Sequence, residues 1–152
     1  MATNSNQLIF IKGKERALKT LFTPSDSKDI ETFGYLAIGY DPEQLGFKNK
    51  EGAQSIKDEG FIEIESDVEN SYVRIPLEFD RTYPDYDTSK AFGVFKATLP
   101  ANVIVGQPIN QFAVVNTSEP NDANTVIYSA STFPTFNKTS ASSITFVVTF
   151  RM

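Results

Sequence analysis

The stretch from Ser143 to Arg151 alternates strictly: Ile144, Phe146, Val148 and Phe150 fall on one side, and Thr145, Val147, Thr149 and Arg151 on the other. A period of two in residues of high strand propensity predicts a half-buried β-strand. At about 3.3 Å per residue, Ser143 to Phe150 would reach roughly 26 Å, enough to cross a domain. Upstream, Val126 to Phe133 is a second β-rich run. Pro134 is expected to end it, because proline supplies no ladder donor. Thr135 to Ser142 then reads as a polar connection carrying one lysine. The two runs are expected to be adjacent antiparallel strands that close the fold. Their shared apolar face would form a large part of the core, at roughly 1.5–3 kcal/mol per fully buried side chain.

The same patterning recurs along the chain. Thr32 to Tyr40 is apolar on both faces, which predicts a central, doubly covered strand. Phe61 to Glu65 and Tyr72 to Phe79 alternate, the latter with Val73, Ile75, Leu77 and Phe79 on one face; Pro76 marks it as an edge or a bulge. Ala91 to Leu99 and Gln111 to Val115 are further strands, and Asp41-Pro42 and Thr117 to Asn124 are turns. One helix is expected, over Lys14 to Phe22. There Leu18, Leu21 and Phe22 fall at i, i+3 and i+4 with Ala17 alongside, a stripe that would face the core. The fold class is therefore all-β, a mainly antiparallel sandwich or barrel with one short N-terminal helix. It forms a single β-rich domain over 1–152, with 1–7 a flexible N-terminal arm and 45–59 a loop insertion. Arm and loop would act as docking segments that order on assembly.

Composition narrows the chemistry. The 152 residues include no Cys, no His and no Trp. Zinc sites of Cys and His, thiol nucleophiles and Ser-His-Asp triads are excluded, and any metal would need an oxygen cage. A formal charge of −5, without a Lys/Arg cluster, argues against nucleic acid as a partner. Met1 to Gln7 is polar and only Leu8 to Ile11 is apolar, which is no secretory pattern. No apolar run is long enough for a transmembrane helix.

Two acidic groups carry the only catalytic or metal-binding ideas. Glu63, Glu65 and Asp67 would line one strand face, with Glu69 beyond them, at a spacing that suits a glycosidase pair. A solvated strand face has the same pattern. Asp80, Asp85 and Asp87 with Tyr83 and Tyr86 could surround a hard cation. Aspartates that bond their own backbone in turns explain them equally. Asn116-Thr117-Ser118 and Asn137-Lys138-Thr139 match the glycosylation pattern, which chance accounts for without a signal segment. Gly34 and Gly39 lie within a strand and make no phosphate loop. No catalytic, cofactor or metal residue is therefore assigned.

The order of segments resembles small structural proteins of tailed bacteriophages, encoded among tail, baseplate and fibre genes. The resemblance rests on RALKTLF, TFGYLAIGYD, YVRIPLEF, AFGVFKATLP and INQFAVVN, followed by IYSASTFPTFNKTSASSITFVVTF at Ile127 to Phe150. Phe133, Pro134, Lys138, Thr145 and Phe150 carry its most specific pattern. The chain departs from the family in Phe-Ala-Val-Val, where Gly-Leu-Phe is usual, and in the loop at 45–59. The resemblance implies a non-enzymatic virion component, made in the host cytoplasm. Such a component would be a capsid decoration, head-fibre, tail or baseplate subunit that assembles with other virion proteins and with copies of itself. It implies no cofactor, small-molecule substrate, nucleic acid or membrane. A second reading is a carbohydrate- or surface-binding β-sandwich module, with Tyr72, Tyr83 and Tyr86 as stacking residues.

Overall fold

The computed structural model describes residues 6–24, 32–48, 56–57, 59–64, 73–79, 92–119 and 124–151. Alternating apolar residues build two antiparallel sheets. In order along the chain the elements are β1 (Asn6–Ile9), α1 (Ile11–Phe22), β2 (Tyr35–Gly39), β3 (Arg74–Pro76), β4 (Glu78–Phe79), β5 (Phe92–Leu99), β6 (Pro108–Val115), β7 (Ile127–Asn137) and β8 (Ile144–Arg151). Five strands form one sheet in the order β1-β7-β6-β2-β3, and three form the other as β4-β5-β8. This is the expected all-β fold with a short N-terminal helix.

The sheets share a core. Leu36 and Ile38 of β2 and Ile109, Phe112 and Val114 of β6 meet Ala97 and Leu99 of β5 and Phe146 and Val148 of β8. β2, β5 and β8 contribute alternate residues, as the pleat requires, and β6 does so from Phe112 to Val114, with Ile109 beyond a register shift. The inward face of β8 is the one its alternation predicts, and Val147 between the buried positions is exposed. At the centre, the Phe146 ring lies 5.5 Å from Phe112 and 6.1 Å from Phe133.

The opposite face of the larger sheet is covered too, so β2 is buried on both sides. Ala37, Ala113, Val115, Ile127 and Ala130 pack there under Phe10 and Phe61, with Phe47 and Ile56 at the margin. Gly39 allows this approach: a Cβ there would lie 2.7 Å from Ile62 O and 2.9 Å from the Phe61 ring. The Gln111 amide bridges the same gap, accepting from Ile62 N–H (3.1 Å) and donating to Gly60 O (3.0 Å). The described ends of the 45–59 loop are thus fastened to the sheet, and Lys48 N–H donates to Glu59 O at 2.9 Å. Residues 49–55 and 58 lie outside the described residues. Of the expected arm, Asn6 and Gln7 belong to β1, paired with Thr132 and Ser131 of β7.

Four details correct the sequence reading. First, β7 and β8 are not partners: β7 lies between β1 and β6, whereas β8 pairs with β5 in the other sheet. The connection from 138 to 143 crosses between sheets instead of turning a hairpin. Second, β7 continues through Pro134 to Asn137. Between the pairs Ile109–Phe136 and Gln111–Thr132, residues 133–135 of β7 stand opposite Asn110 alone. Pro134 sits in that bulge, where its missing N–H breaks no ladder bond. Third, Tyr72 to Phe79 is not one strand. Its described part changes sheet at Leu77, whose N–H donates to Gly34 O (2.8 Å), so β3 and β4 are edges of different sheets. Fourth, the described part of Phe61 to Glu65, residues 61–64, forms only an isolated bridge, Glu63 to Gly39.

Candidate interaction surfaces

The helix shows how the surface differs from the expected one. α1 begins three residues earlier than predicted, at Ile11, because Phe10 is buried and anchors it: Phe10 N–H donates to Tyr128 O and Phe10 O accepts from Lys14 N–H. No side chain caps its N-terminus, and its first turn holds no acid. Docking, not capping, therefore fixes the helix. Gly13 is its one fully buried residue, with a hypothetical Cβ only 2.3 Å from Ile127 O of β7. Ala17 and Thr20, one and two turns on, continue this close-packed side and are half-buried.

Of the stripe that the sequence assigned to the core, Leu18, Leu21 and Phe22 are exposed, and Ala17 alone lies on the half-buried side. Ile11, Leu18 and Phe22, related by i, i+7 and i+11, share one side of the helix, and Phe22 is 83% exposed. Leu21, 59% exposed, turns toward a groove of about 370 Å³ between the helix and the open end of the sandwich. Ala17, Thr20 and Leu21 form one wall, Phe33 and Leu77 another, and Phe95, Tyr128 and Phe150 lie along its floor. The floor residues belong to a longer run of touching rings that joins both sheets: Phe79–Phe95 (5.2 Å), Phe95–Phe150 (5.7 Å), Phe150–Tyr128 (5.4 Å) and Tyr128–Phe33 (5.5 Å). Around this apolar surface α1 carries Lys12, Lys14, Arg16 and Lys19 against Glu15 alone, in a chain of net charge −5. The helix is net positive in a chain that is acidic as a whole.

A second concavity, of about 520 Å³, lies beside Asp41, Gln44, Asn110, Gln111, Thr132 and Phe133. Its polar lining already holds the fold together. The Asp41 carboxylate accepts from the N–H groups of Glu43 (3.0 Å) and Leu45 (2.9 Å), which makes the predicted Asp-Pro turn. Asn110 accepts from Asp41 N–H (2.8 Å) and donates to Asp41 O (2.7 Å) and Thr135 Oγ1 (3.2 Å).

Of the candidate catalytic carboxylates, Glu63 alone falls among the described residues. Glu63 is locked to Arg74 by two parallel bonds, Nε to Oε2 at 2.9 Å and Nη2 to Oε1 at 2.8 Å, with side chains 7% and 1% exposed. Arg74 also donates to Thr117 O, Thr117 Oγ1, Glu119 O and Thr125 Oγ1, fastening β3 to the turn between β6 and β7. Such a forked pair holds β3 to the 61–64 segment. Glu65, Asp67, Glu69, Tyr72, Asp80, Tyr83, Asp85, Tyr86 and Asp87 lie outside the described residues. Among the described residues no group of three acids could hold a metal ion, and no helix is long and apolar enough to cross a membrane.

The two glycosylation-like motifs are structural. Asn116 donates to Asn124 O (3.0 Å) and accepts from Val126 N–H (2.7 Å), which closes the turn before β7. In the other motif Lys138 is 1% exposed, and its Nζ donates to Ala101 O and Thr139 O, both at 2.8 Å. Sequence reasoning missed the outward stripe and its groove. The available signal was Gly13 and Ala17 at i and i+4, a small-residue side opposite Ile11, Leu18 and Phe22. Protein-family models, curated proteins and solved structures were all compared with this chain, and none matches.

Proposed function

We propose that this chain is a non-enzymatic structural component of a bacteriophage virion, acting by protein–protein assembly. The observation that carries the reading is the outward stripe of α1 with its aromatic-floored groove. A monomer would gain by burying Ile11, Leu18 and Phe22, at roughly 1.5–3 kcal/mol per large apolar side chain. The helix instead packs through Gly13 and leaves them for a partner. The partner that fits is another virion protein with an acidic surface and a projecting apolar side chain. Its acids would meet Lys12, Lys14, Arg16 and Lys19, and its apolar side chain the groove. The resemblance of the segment order to phage tail, baseplate and fibre proteins supports the same reading.

The test is incorporation. Leu18→Asp combined with Phe22→Asp changes only exposed positions, so the melting temperature should stay within a few degrees of the native value. The doubly substituted chain should be lost from particles purified after complementation. Incorporation at the native level would overturn the role given to α1.

A further inference from the structure

We propose that the outer edge of β8 is a self-association edge, on which β8 of a second copy pairs antiparallel about a two-fold axis at Val147. The inference rests on the assembly reading above and names the partner of a different surface.

Among the described residues the sheets have four edge strands, β1, β3, β4 and β8. Three are short: β1 has four residues, β3 has three and includes Arg74 and Pro76, and β4 has two. β8 is the exception. It spans eight residues and pairs with β5 at every one, from Ile144–Leu99 to Arg151–Phe92, without a bulge. Among the described residues, no strand pairs along its other side. From Thr139 to Phe150 the sequence has neither a charge nor a proline. Charges, prolines, bulges and short length are the means by which edge strands are kept from pairing. β8 uses none of them before Arg151, so among the described residues its outward backbone donors and acceptors form an open template.

A second β8 is the occupant that fits, because an antiparallel pair of identical strands about a two-fold is complementary to itself. With the axis at Val147, that residue faces its own copy and Thr145 faces Thr149. On the core side Phe146 would face Val148 and Ile144 would face Phe150. These are β-branched and aromatic pairs of the kind that stabilise sheets, and no like charges are opposed. Val147 is 41% exposed at the middle of the strand, where the axis passes. Two three-stranded sheets would join into one of six strands, β4-β5-β8-β8-β5-β4.

Sedimentation velocity of the purified full-length chain over a range of concentrations tests this. The native chain should approach twice 16.9 kDa. Val147→Glu should return it to the monomer mass, because two carboxylates then meet at the axis, with far-UV circular dichroism unchanged. Thr145→Lys with Thr149→Lys should also give monomer. Thr145→Lys with Thr149→Glu should restore the dimer, since each Lys then faces a Glu. This last pair keeps the test decisive even if one substitution perturbs the fold. A native chain that is monomeric throughout, or a dimer indifferent to these changes, overturns the edge pairing. Presence of the chain in purified particles is scored separately. A monomer found in particles removes only the β8 dimer, and a β8 dimer absent from particles removes only the virion reading.

Discussion

Arg74 and Glu63 are buried together, and at that depth a charge is tolerated only because its partner is present. Glu63→Ala would leave the guanidinium bonded only to Thr117, Glu119 and Thr125, and should cost about 3–5 kcal/mol, the range for breaking a buried pair. Glu63→Gln should cost less, because its carbonyl still accepts from Arg74. Urea unfolding midpoints measure both. Loss of stability in Glu63→Ala marks the residue as structural, and a change below about 0.5 kcal/mol, as at an ordinary surface position, would contradict that assignment. Phe146 gives a second residue-scale expectation. Its ring fills the space between Phe112 and Phe133, so Phe146→Ala should cost about 3–5 kcal/mol. A loss under about 1 kcal/mol would mean that this face of β8 is not the core. Lys138 shows what a single letter conceals: a lone lysine in a polar connection reads as solvated, yet its ammonium clamps the 100–107 turn to the end of β7.

At the scale of elements, propensity and packing give opposite answers for α1. In an isolated helix Gly→Ala is favourable by about 1 kcal/mol. In this protein Gly13→Ala drives a methyl into the backbone of β7, so the melting temperature should fall, by an overpacking cost of about 1–3 kcal/mol. Leu18→Ser should change stability by no more than about 0.5 kcal/mol, because Leu18 is already exposed. A stripe of leucines facing the core would give the reverse ranking, so two thermal melts distinguish the arrangements. Strand patterning, by contrast, is a local property of the chain: β-rich runs placed β2, β5 and β6, and alternation placed β8 and its inward face. Strand partnership is non-local. Nothing in Val126 to Arg151 distinguishes a hairpin from two strands in different sheets, nor announces that β7 passes Pro134 through a bulge opposite Asn110.

At the scale of the molecule, the described polar groups that looked like chemistry are joined to the fold, and the apolar groups that looked like core are partly on its surface. Glu63, Asn116 and Lys138 hold turns and edges, while Ile11, Leu18 and Phe22 wait outside a helix that packs through glycine. The all-β architecture was legible because composition and alternation agree throughout. The interaction surface was not, because an amphipathic helix looks the same whether its stripe faces its own sheet or another protein. The proposed assembly role rests on a basic helix with an exposed apolar stripe and on an edge strand uncharged before Arg151. Quantitative mass spectrometry of gradient-purified particles addresses this directly. The chain should be present at a constant ratio to the major capsid or tail proteins across the gradient peak, and its absence from particles while it accumulates free in the lysate would contradict a virion role.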